Sequence, residues 1–414
     1  MNNTAIPSQK VARALLAFGL VMLCVNLSWT QGFDNRNLLL PVVMCCSPLV
    51  LLMPGARVLM PRLDLTVLGL CVCATLSPLL FHPDTFRWGA LLFLYANCFY
   101  FAMLMRLVKM SDLRAGDCLR FVRWMVYAFT VVLLVQQLCV LAGWPIFNRS
   151  HVYDELPWKL NSLATEAAHI SYTLGVLMCL YGMAERHADP DTGLWTSMKK
   201  SPWLWAGFLW CCVSTINSSA LMFIPLAFVP YMTRRNLPWV AGALVLILGV
   251  MFLVPTGKNS PAHRVKSILT VNAIDRDSLI KADPSIAHRT IPTYDGAKAI
   301  CHSGIEAVTG HGVDSDLRDF ERVLGAAVRE ATAGAFKLWY NNGILAEAFL
   351  LALIFQTVFE ARKPAAWLLT LLAILMTQQY NFQLFWQLIA FSAIYKYTIS
   401  GKTRFLKEMH PIRQ

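Results

Sequence analysis

The chain has 414 residues, of which 57% are hydrophobic and only 14% are charged. Soluble domains are nearer half apolar and a quarter charged, so this composition excludes an ordinary soluble domain and indicates a surface that faces lipid. The net charge of +12 comes largely from Lys and Arg at the ends of apolar runs, which is typical of membrane topology and does not indicate nucleic acid binding.

Apolar runs recur along nearly the whole chain, and each can supply the roughly 20 residues that cross a bilayer as a helix. The first begins near Ala14, and because no convincing small-residue cleavage site follows, we expect an uncleaved span. The sequence therefore predicts an all-α polytopic membrane protein with about twelve transmembrane helices. The predicted spans are 14–29, 37–53, 64–81, 88–108, 122–144, 165–184, 202–216, 219–232, 238–254, 338–359, 365–379 and 384–399.

Lys and Arg accumulate in alternate connections between these spans, which predicts that those connections and both termini lie in the cytoplasm. The remaining connections would lie on the opposite side of the membrane, and one of them is much longer than the others. The chain is thus divided into helices over 1–254, a large loop over 255–337, and helices with a cytoplasmic tail over 338–414.

The large loop is too long for a simple connection, and loops of this length are generally functional or disordered. Its composition predicts order, because apolar residues recur at helical spacing from Leu317 to Ala331, with Asp314 or Ser315 as a plausible cap. A second helix is predicted from Pro292 to about Ser303, since proline suits a first helical turn. We therefore expect a partly helical loop.

Motifs for several chemistries are missing from the sequence. No nucleotide-binding glycine fingerprint, P-loop or GxSxG elbow is present, so ATP-driven transport and serine hydrolysis have no support. Nearly all of the 12 cysteines lie in apolar runs without zinc-site spacing, and the loop lacks a carboxylate cluster suited to Mg²⁺ or Mn²⁺. We expect no metal and no other cofactor. Cys301 is the only cysteine of the loop, which excludes a disulfide within it.

Conspicuous residues follow one another in the loop in a particular order. Arg289 precedes the predicted short helix, His302 lies near the end of that helix, and a Gly-His-Gly turn follows at 310–312. Gly343-Ile-Leu then leads into the next span. This order resembles the O-antigen polymerase and O-antigen ligase family of bacterial envelope glycosyltransferases.

Two upstream segments resemble the same family with departures. The segment from Leu163 to His169 resembles the family's Glu-Pro-Ser/Asn segment through Glu166, but Ala167 stands where proline is usual. The segment 214–221 resembles its Ser-Arg segment at a helix start, without the arginine. The likeness covers the span layout over most of the chain.

The resemblance implies a GT-C-like membrane fold in the bacterial inner membrane, with the large loop and the active site facing the periplasm. It implies a substrate glycan carried on undecaprenyl diphosphate. The lipid bilayer and this lipid-linked oligosaccharide are therefore the expected partners, nucleic acid is not, and the resemblance allows a chain-length regulator as a partner protein.

Displacing a sugar from a diphosphate builds negative charge on the leaving group, and arginine can bind phosphate oxygens through two parallel hydrogen bonds. Arg289 is the best candidate for this role, with Arg264, Arg318 and Arg322 as helpers that together could replace a metal ion. The simpler interpretation is that Arg318 and Arg322 belong, with Arg329, to the solvated face of an amphipathic helix.

The attacking sugar hydroxyl needs a proton acceptor, and His311, Glu166 and His302 are the candidates. His311 could instead serve only in a turn, and His302 could be an ordinary exposed helix residue. Glu166 is predicted near the edge of the lipid, where an ionisable group usually has a partner or a role. Tyr294, Trp339 and Tyr340 could stack on sugar rings, or form an interfacial aromatic belt.

Polymerase is the first functional hypothesis and ligase the second. Ligases of this family carry a His-Asn pair shortly before the Gly-Ile/Leu-Leu entry, and counting back from Gly343 places Thr332 there, which favours a polymerase. A third hypothesis, a flippase for lipid-linked sugars, predicts broken helices or half-repeats with polar groups at mid-membrane depth. The concentration of charge in one loop favours chemistry at the membrane surface.

Overall fold

The computed structural model describes residues 5–27, 39–56, 60–149, 157–215, 219–233, 284–324 and 333–400. Outside these residues lie the predicted span at 238–254 and three residues named above, which are Arg264, Arg329 and Thr332. Within the described ranges all regular structure is helical.

The described helices before residue 233 are α1 (Ala5–Cys24), α2 (Leu39–Cys46), α3 (Pro61–Phe81), α4 (Trp88–Ser111), α5 (Ala115–Ala142), α6 (Ala167–Ala188), α7 (Leu194–Lys200), α8 (Pro202–Ser214) and α9 (Ala220–Phe228). Those after residue 283 are α10 (Pro284–His302), α11 (Glu306–Thr309), α12 (Ser315–Leu324), α13 (Lys337–Asn342), α14 (Ile344–Thr357), α15 (Pro364–Leu375) and α16 (Gln383–Tyr395). A 3₁₀ turn extends α2 over Ser47–Leu52, and a π turn extends α16 over Lys396–Ser400.

Each predicted span that falls on described residues is mainly helical there, and the span 338–359 is divided between two helices. In the part of the chain that the structure describes, four helices are long and apolar enough to cross a membrane: α3 from Arg62, α4, α5 and α6. Shorter apolar helices include α8, α14 and α15. The chain is therefore all-helical where described, with four candidate membrane spans, and the count of about twelve stays a prediction.

The boundaries of three predicted helices differ from those observed. The predicted span 338–359 is broken at Gly343, between α13 and α14. Helix α10 begins at Pro284 and keeps Pro292 inside it, so this proline does not mark a helix start. The predicted helix 317–331 begins two residues earlier as α12 and is described to Leu324.

Helix α3 begins where proline and a carboxylate favour a helical first turn. Pro61 needs no hydrogen-bond partner at this position, and the carboxylate of Asp64 accepts a hydrogen bond from the backbone N–H of Met60 at 2.8 Å. Arg106 of α4 donates to both oxygens of Asp64, at 3.1 and 3.0 Å. This charge-assisted pair fixes the start of α3 against α4.

The interior of the helix bundle is formed by α4, α6 and α16. Nearly all side chains of α6 from Ile170 to Ala184 are buried, and so are those of α16 from Leu384 to Tyr395. Helix α3 instead leaves a row of leucine and valine side chains exposed, including Leu65, Leu68 and Val72. A row of exposed apolar side chains is expected of a helix that contacts lipid.

The two ends of the bundle carry different contacts. At one end Arg13 of α1 donates to the carbonyl oxygens of Ser111 and Asp112, at 2.6 and 3.0 Å, which satisfies acceptors that the end of α4 leaves open. At the other end, where α3 terminates, lie helices α10 to α13, which precede Gly343. The candidate site is found there.

Candidate functional site

A small apolar core separate from that of the bundle lies in the large loop. It is formed by side chains of α10, α12 and α13 with the turn before α13, and we call residues 284–324 and 333–342 the loop module. The buried members of this core are Ala287, Ile291, Ile300, Phe320, Ala333 and Tyr340. A shared core explains why this part of the loop is ordered.

The loop module is attached to the last turns of α3 by three polar contacts. The hydroxyl of Ser77 donates to the carbonyl oxygen of Thr309, and Nε2 of His82 lies 2.8 Å from the carbonyl oxygen of Gly310. The amide of Asn342 donates to the carbonyl oxygen of Ala74 at 2.8 Å. The module is therefore held at one end of a candidate membrane span.

The Gly-His-Gly turn packs directly on the backbone of the next segment. His311 N–H donates to the carbonyl oxygen of Tyr340 at 2.8 Å, and Gly312 N–H donates to that of Asn341 at 3.0 Å. Gly310 has a φ of +80°, and a Cβ at this position would lie 2.6 Å from both Asn341 O and Gly343 N. Only glycine allows this approach, which accounts for the glycine at the start of the turn.

This turn places His311 in a partly enclosed environment. Its ring stacks on that of Tyr340, with centroids 4.0 Å apart and planes 9° from parallel, and its side chain is only 15% exposed. Tyr340 is itself fixed, because its hydroxyl donates to Asp319 at 3.1 Å and its ring contacts Phe320 edge to face. The position of the imidazole is therefore determined by the core of the loop module.

The two ring nitrogens of His311 have different partners. Nδ1 lies 3.2 Å from the carbonyl oxygen of Tyr340, an acceptor only, so the neutral ring satisfies this contact when Nδ1 carries the proton. Nε2 lies 3.0 Å from Ser303 Oγ, whose hydroxyl donates to the carbonyl oxygen of Ala299 at 2.6 Å, and 3.3 Å from Glu306 Oε2. Nε2 is therefore the ring nitrogen that lies beside polar side chains, which makes it the candidate proton acceptor.

A second polar cluster lies where α12 meets α13. Asp316 is fully buried and accepts a hydrogen bond from the Asn341 amide at 2.6 Å, while its other oxygen lies 3.4 Å from Lys337 Nζ. Burial raises the pKa of the Asp316 carboxyl, and the nearby Lys337 ammonium partly offsets that rise. Because a buried charge needs a partner, this pair supports the module rather than facing a ligand.

The other predicted residues of the loop module are arranged differently. Trp339 donates from its indole to the carbonyl oxygen of Ala307 at 2.6 Å, and Tyr340 is buried beneath His311. Tyr294 is 58% exposed, so its ring is open to a ligand. His302 is exposed on α10, with Nδ1 2.7 Å from Lys298 O. The structure therefore brings His311 and Tyr340 together, and the buried ring of Tyr340 supports the imidazole and is not open to a sugar ring.

The structure describes the side chain of Arg318 but not those of the other three predicted diphosphate-binding arginines. Arg318 is exposed on α12 and its Nε lies 3.2 Å from Asp319 Oδ1, which suits the solvated-face interpretation. The structure describes the backbone positions of Arg289 in α10 and Arg322 in α12 but not their side chains, and Arg264 lies outside the described residues. The diphosphate-binding role of these arginines stays a prediction.

Glu166 is the residue immediately before α6 and is partly exposed. One turn later, the ring of His169 contacts Phe382, with centroids 5.5 Å apart. The connection that contains Phe382 also reaches the loop module, because Thr377 donates to the carbonyl oxygen of Ala335 at 2.6 Å. Glu166 therefore belongs to the same end of the bundle as the loop module.

Four polar residues of this region were not singled out from the sequence: His82, Ser303, Glu306 and Glu347. Glu306 could have been noticed because it lies five residues before His311, whereas nothing local connects His82 with this turn. Glu347, in the first turn of α14, is only 5% exposed, and its Oε2 has no hydrogen-bond partner among the described residues. A carboxylate inside an apolar run is a visible signal of a role.

No set of three or more His, Cys, Asp or Glu side chains converges as a metal site within the described ranges. Comparisons with models of protein families, with curated proteins and with solved structures find no match for this chain.

Proposed function

We propose that this protein is an O-antigen or exopolysaccharide polymerase, which transfers a glycan from polyprenyl diphosphate to the sugar end of another lipid-linked unit. The observation that supports this most is the environment of His311. Its ring is oriented by a backbone carbonyl, has a carboxylate beside Nε2, and lies in a module attached to the end of a candidate membrane span. A base at this level can reach a sugar that is attached to a lipid carrier.

In the proposed reaction, a hydroxyl oxygen of the acceptor sugar attacks the anomeric carbon of the donor glycan. The bond from that carbon to the diphosphate oxygen breaks, and the diphosphate leaves with the bonding electron pair. The hydroxyl proton passes to Nε2 of His311, where Glu306 stabilises the resulting imidazolium. A single displacement of this kind inverts the configuration at the anomeric carbon.

The negative charge on the departing diphosphate requires fixed cations. We assign this role to Arg289, with Arg264, Arg318 and Arg322 as helpers, and no metal ion is required in this scheme. Arg289 lies between Ala287 and Ile291, two residues of α10 that are buried in the core of the loop module. Its backbone is therefore held by the same core that orients His311.

The exposed ring of Tyr294 and the half-buried indole of Trp339 are the proposed surfaces for sugar stacking. Glu166, which precedes α6, is the second candidate base, and His302 is the third. Substituting each of the three in turn would identify the base, since only one is needed for a single proton transfer.

The test is deletion of the gene followed by examination of the cell-surface glycan. A polymerase defect leaves single repeat units attached at the surface, and restored long chains on complementation would support the proposal. Loss of all glycan from lipid A core would instead identify a ligase. Lipid-linked units trapped in the cytoplasm would identify a flippase, and either of these two outcomes would refute the polymerase.

A further inference from the structure

The short helix α11 exposes two aliphatic side chains beside the polar groups around His311. Ile305, immediately before α11, is 75% exposed, and Val308 within it is 56% exposed. Glu306, between them, points its carboxylate at His311. The turn therefore has one polar side that contacts the candidate site and one apolar side with no cover among the described residues.

The depth of this turn can be read from its contacts with α3. Ser77, which donates to the carbonyl oxygen of Thr309, lies four residues before Phe81, the last residue of α3. At about 1.5 Å per residue, this contact is about 6 Å inside the end of the helix. Since α3 is a candidate membrane span, α11 lies level with its last apolar turn rather than above it.

The surfaces around α11 at this level are apolar as well. Leu80 and Phe81 are exposed at the end of α3, and Leu345 is exposed at the start of α14. The backbone of Val308 packs against Gly343, the residue immediately before α14. Ile305 and Val308 thus adjoin two helix surfaces that would face lipid in a membrane.

We propose that α11 and Ile305 lie in the bilayer interface on the side of the loop module, with Ile305 and Val308 inserted among the acyl chains. Moving aliphatic side chains from water to the acyl chains lowers the free energy. The polar side of the turn stays at the level of the lipid headgroups. The insertion holds His311 at that level. This inference concerns lipid contact alone, so its failure would leave the proposed reaction to its own test.

The first experiment measures thiol accessibility in membrane fragments that are open to the reagent on both sides. In a chain carrying Cys301→Ser, which removes the exposed thiol of the loop module, Ile305→Cys and Val308→Cys are compared with Tyr294→Cys, an exposed position on α10. We expect a charged, water-soluble maleimide to label the first two at least about tenfold more slowly, because it reacts with the thiolate, which needs water. Labelling at the rate of Tyr294→Cys would overturn the proposal.

A second experiment distinguishes lipid from protein as the cover. A benzophenone amino acid is placed at position 305 and, as the control, at position 294, and the membranes are irradiated. Mass spectrometry should find phospholipid adducts at position 305 and none at position 294. Slow maleimide labelling without lipid adducts at position 305 would show that protein covers the turn, and would also overturn the proposal.

Discussion

Tyr340 fixes His311 in three ways at once. The two rings stack at 4.0 Å, the Tyr340 carbonyl oxygen lies 3.2 Å from Nδ1, and the same oxygen accepts the His311 backbone N–H at 2.8 Å. Rotation of the imidazole would break two of these contacts. The direction of Nε2, towards Ser303 and Glu306, is therefore set by a residue that lies 29 positions further along the chain.

If Nε2 of His311 accepts the proton of the sugar hydroxyl, His311→Gln should reduce polymerisation by about 10²–10⁴-fold, the usual contribution of a general base. The measurement is the chain length of the surface glycan in cells that express the variant at the normal level. His187→Gln, an exposed position near the end of α6 with no proposed role in the reaction, is the matched control and should keep long chains. Long chains from the His311 variant would exclude it as the base.

Gly343 should not tolerate alanine. Its φ is +87°, and a Cβ there would collide with the carbonyl oxygen of Val308 and the backbone of Thr309. We expect Gly343→Ala to cost about 3 kcal/mol or more, from backbone strain together with separation of α11 from α14. The measurement is thermal unfolding in detergent, with limited proteolysis of the loop module as the readout of its loss of stability.

The control for Gly343 is Gly304→Ala in the same module. Gly304 also has a positive φ, of +59°, but an added Cβ would meet no atom within 4 Å. This variant should lose only the roughly 1–2 kcal/mol that a left-handed backbone costs an L-residue. Equal losses in the two variants would show that close packing at Gly343 has no importance.

Removing the partner of the buried Asp316 should destabilise the loop module in a pH-dependent manner. Burial already raises the pKa of Asp316, and Lys337→Met removes the ammonium that limits the rise. A carboxyl whose pKa is higher in the folded protein stabilises the fold only while it is protonated. Its contribution to the free energy of unfolding is complete below the unfolded pKa, about 3.9, and is lost as the pH rises through the folded pKa. The deficit of the variant should therefore grow from acid to neutral pH.

At about pH 8 we expect Lys337→Met to lose about 3–5 kcal/mol, as when one member of a buried ion pair is removed, and clearly less at about pH 4.5. Hydrogen exchange of the loop module at both pH values measures the difference. Lys298→Met, which removes an exposed lysine of α10, should change stability by no more than about 0.5 kcal/mol at either pH. A deficit for Lys337→Met that is independent of pH would contradict the assigned role of Asp316.

Arg289→Lys keeps the charge but loses the paired, planar hydrogen bonds of a guanidinium with a diphosphate. If Arg289 holds the leaving group, the variant should lose about 10²–10³-fold in rate although it still inserts in the membrane. Chain-length analysis of the surface glycan measures this, with Arg329→Lys as the control that should be silent. Normal long chains from Arg289→Lys would leave Arg264, Arg318 and Arg322 as the next residues to test.

The positions of the helices were largely predictable, because hydropathy and helical periodicity are local properties of the sequence. The run from Trp88 to Ser111 is predominantly apolar, and the structure forms α4 there. Helix boundaries were less predictable where a turn depends on distant residues. The break at Gly343 follows from the packing of Val308 and Thr309 on this glycine. Hydropathy averaged over a window of residues does not detect such a break.

The sequence by itself determined the helical class, the excess of apolar surface, and the loop in which polar residues such as His311 and Arg289 accumulate. Only the tertiary structure decided that Tyr340 supports the imidazole, that Glu306 lies beside Nε2, and that α11 lies level with the last turn of α3. The physical reason is the range of the interactions. Burial and periodicity act between near neighbours in the chain, whereas these contacts require the loop module to fold around its own core and to dock on α3 through Ser77 and His82.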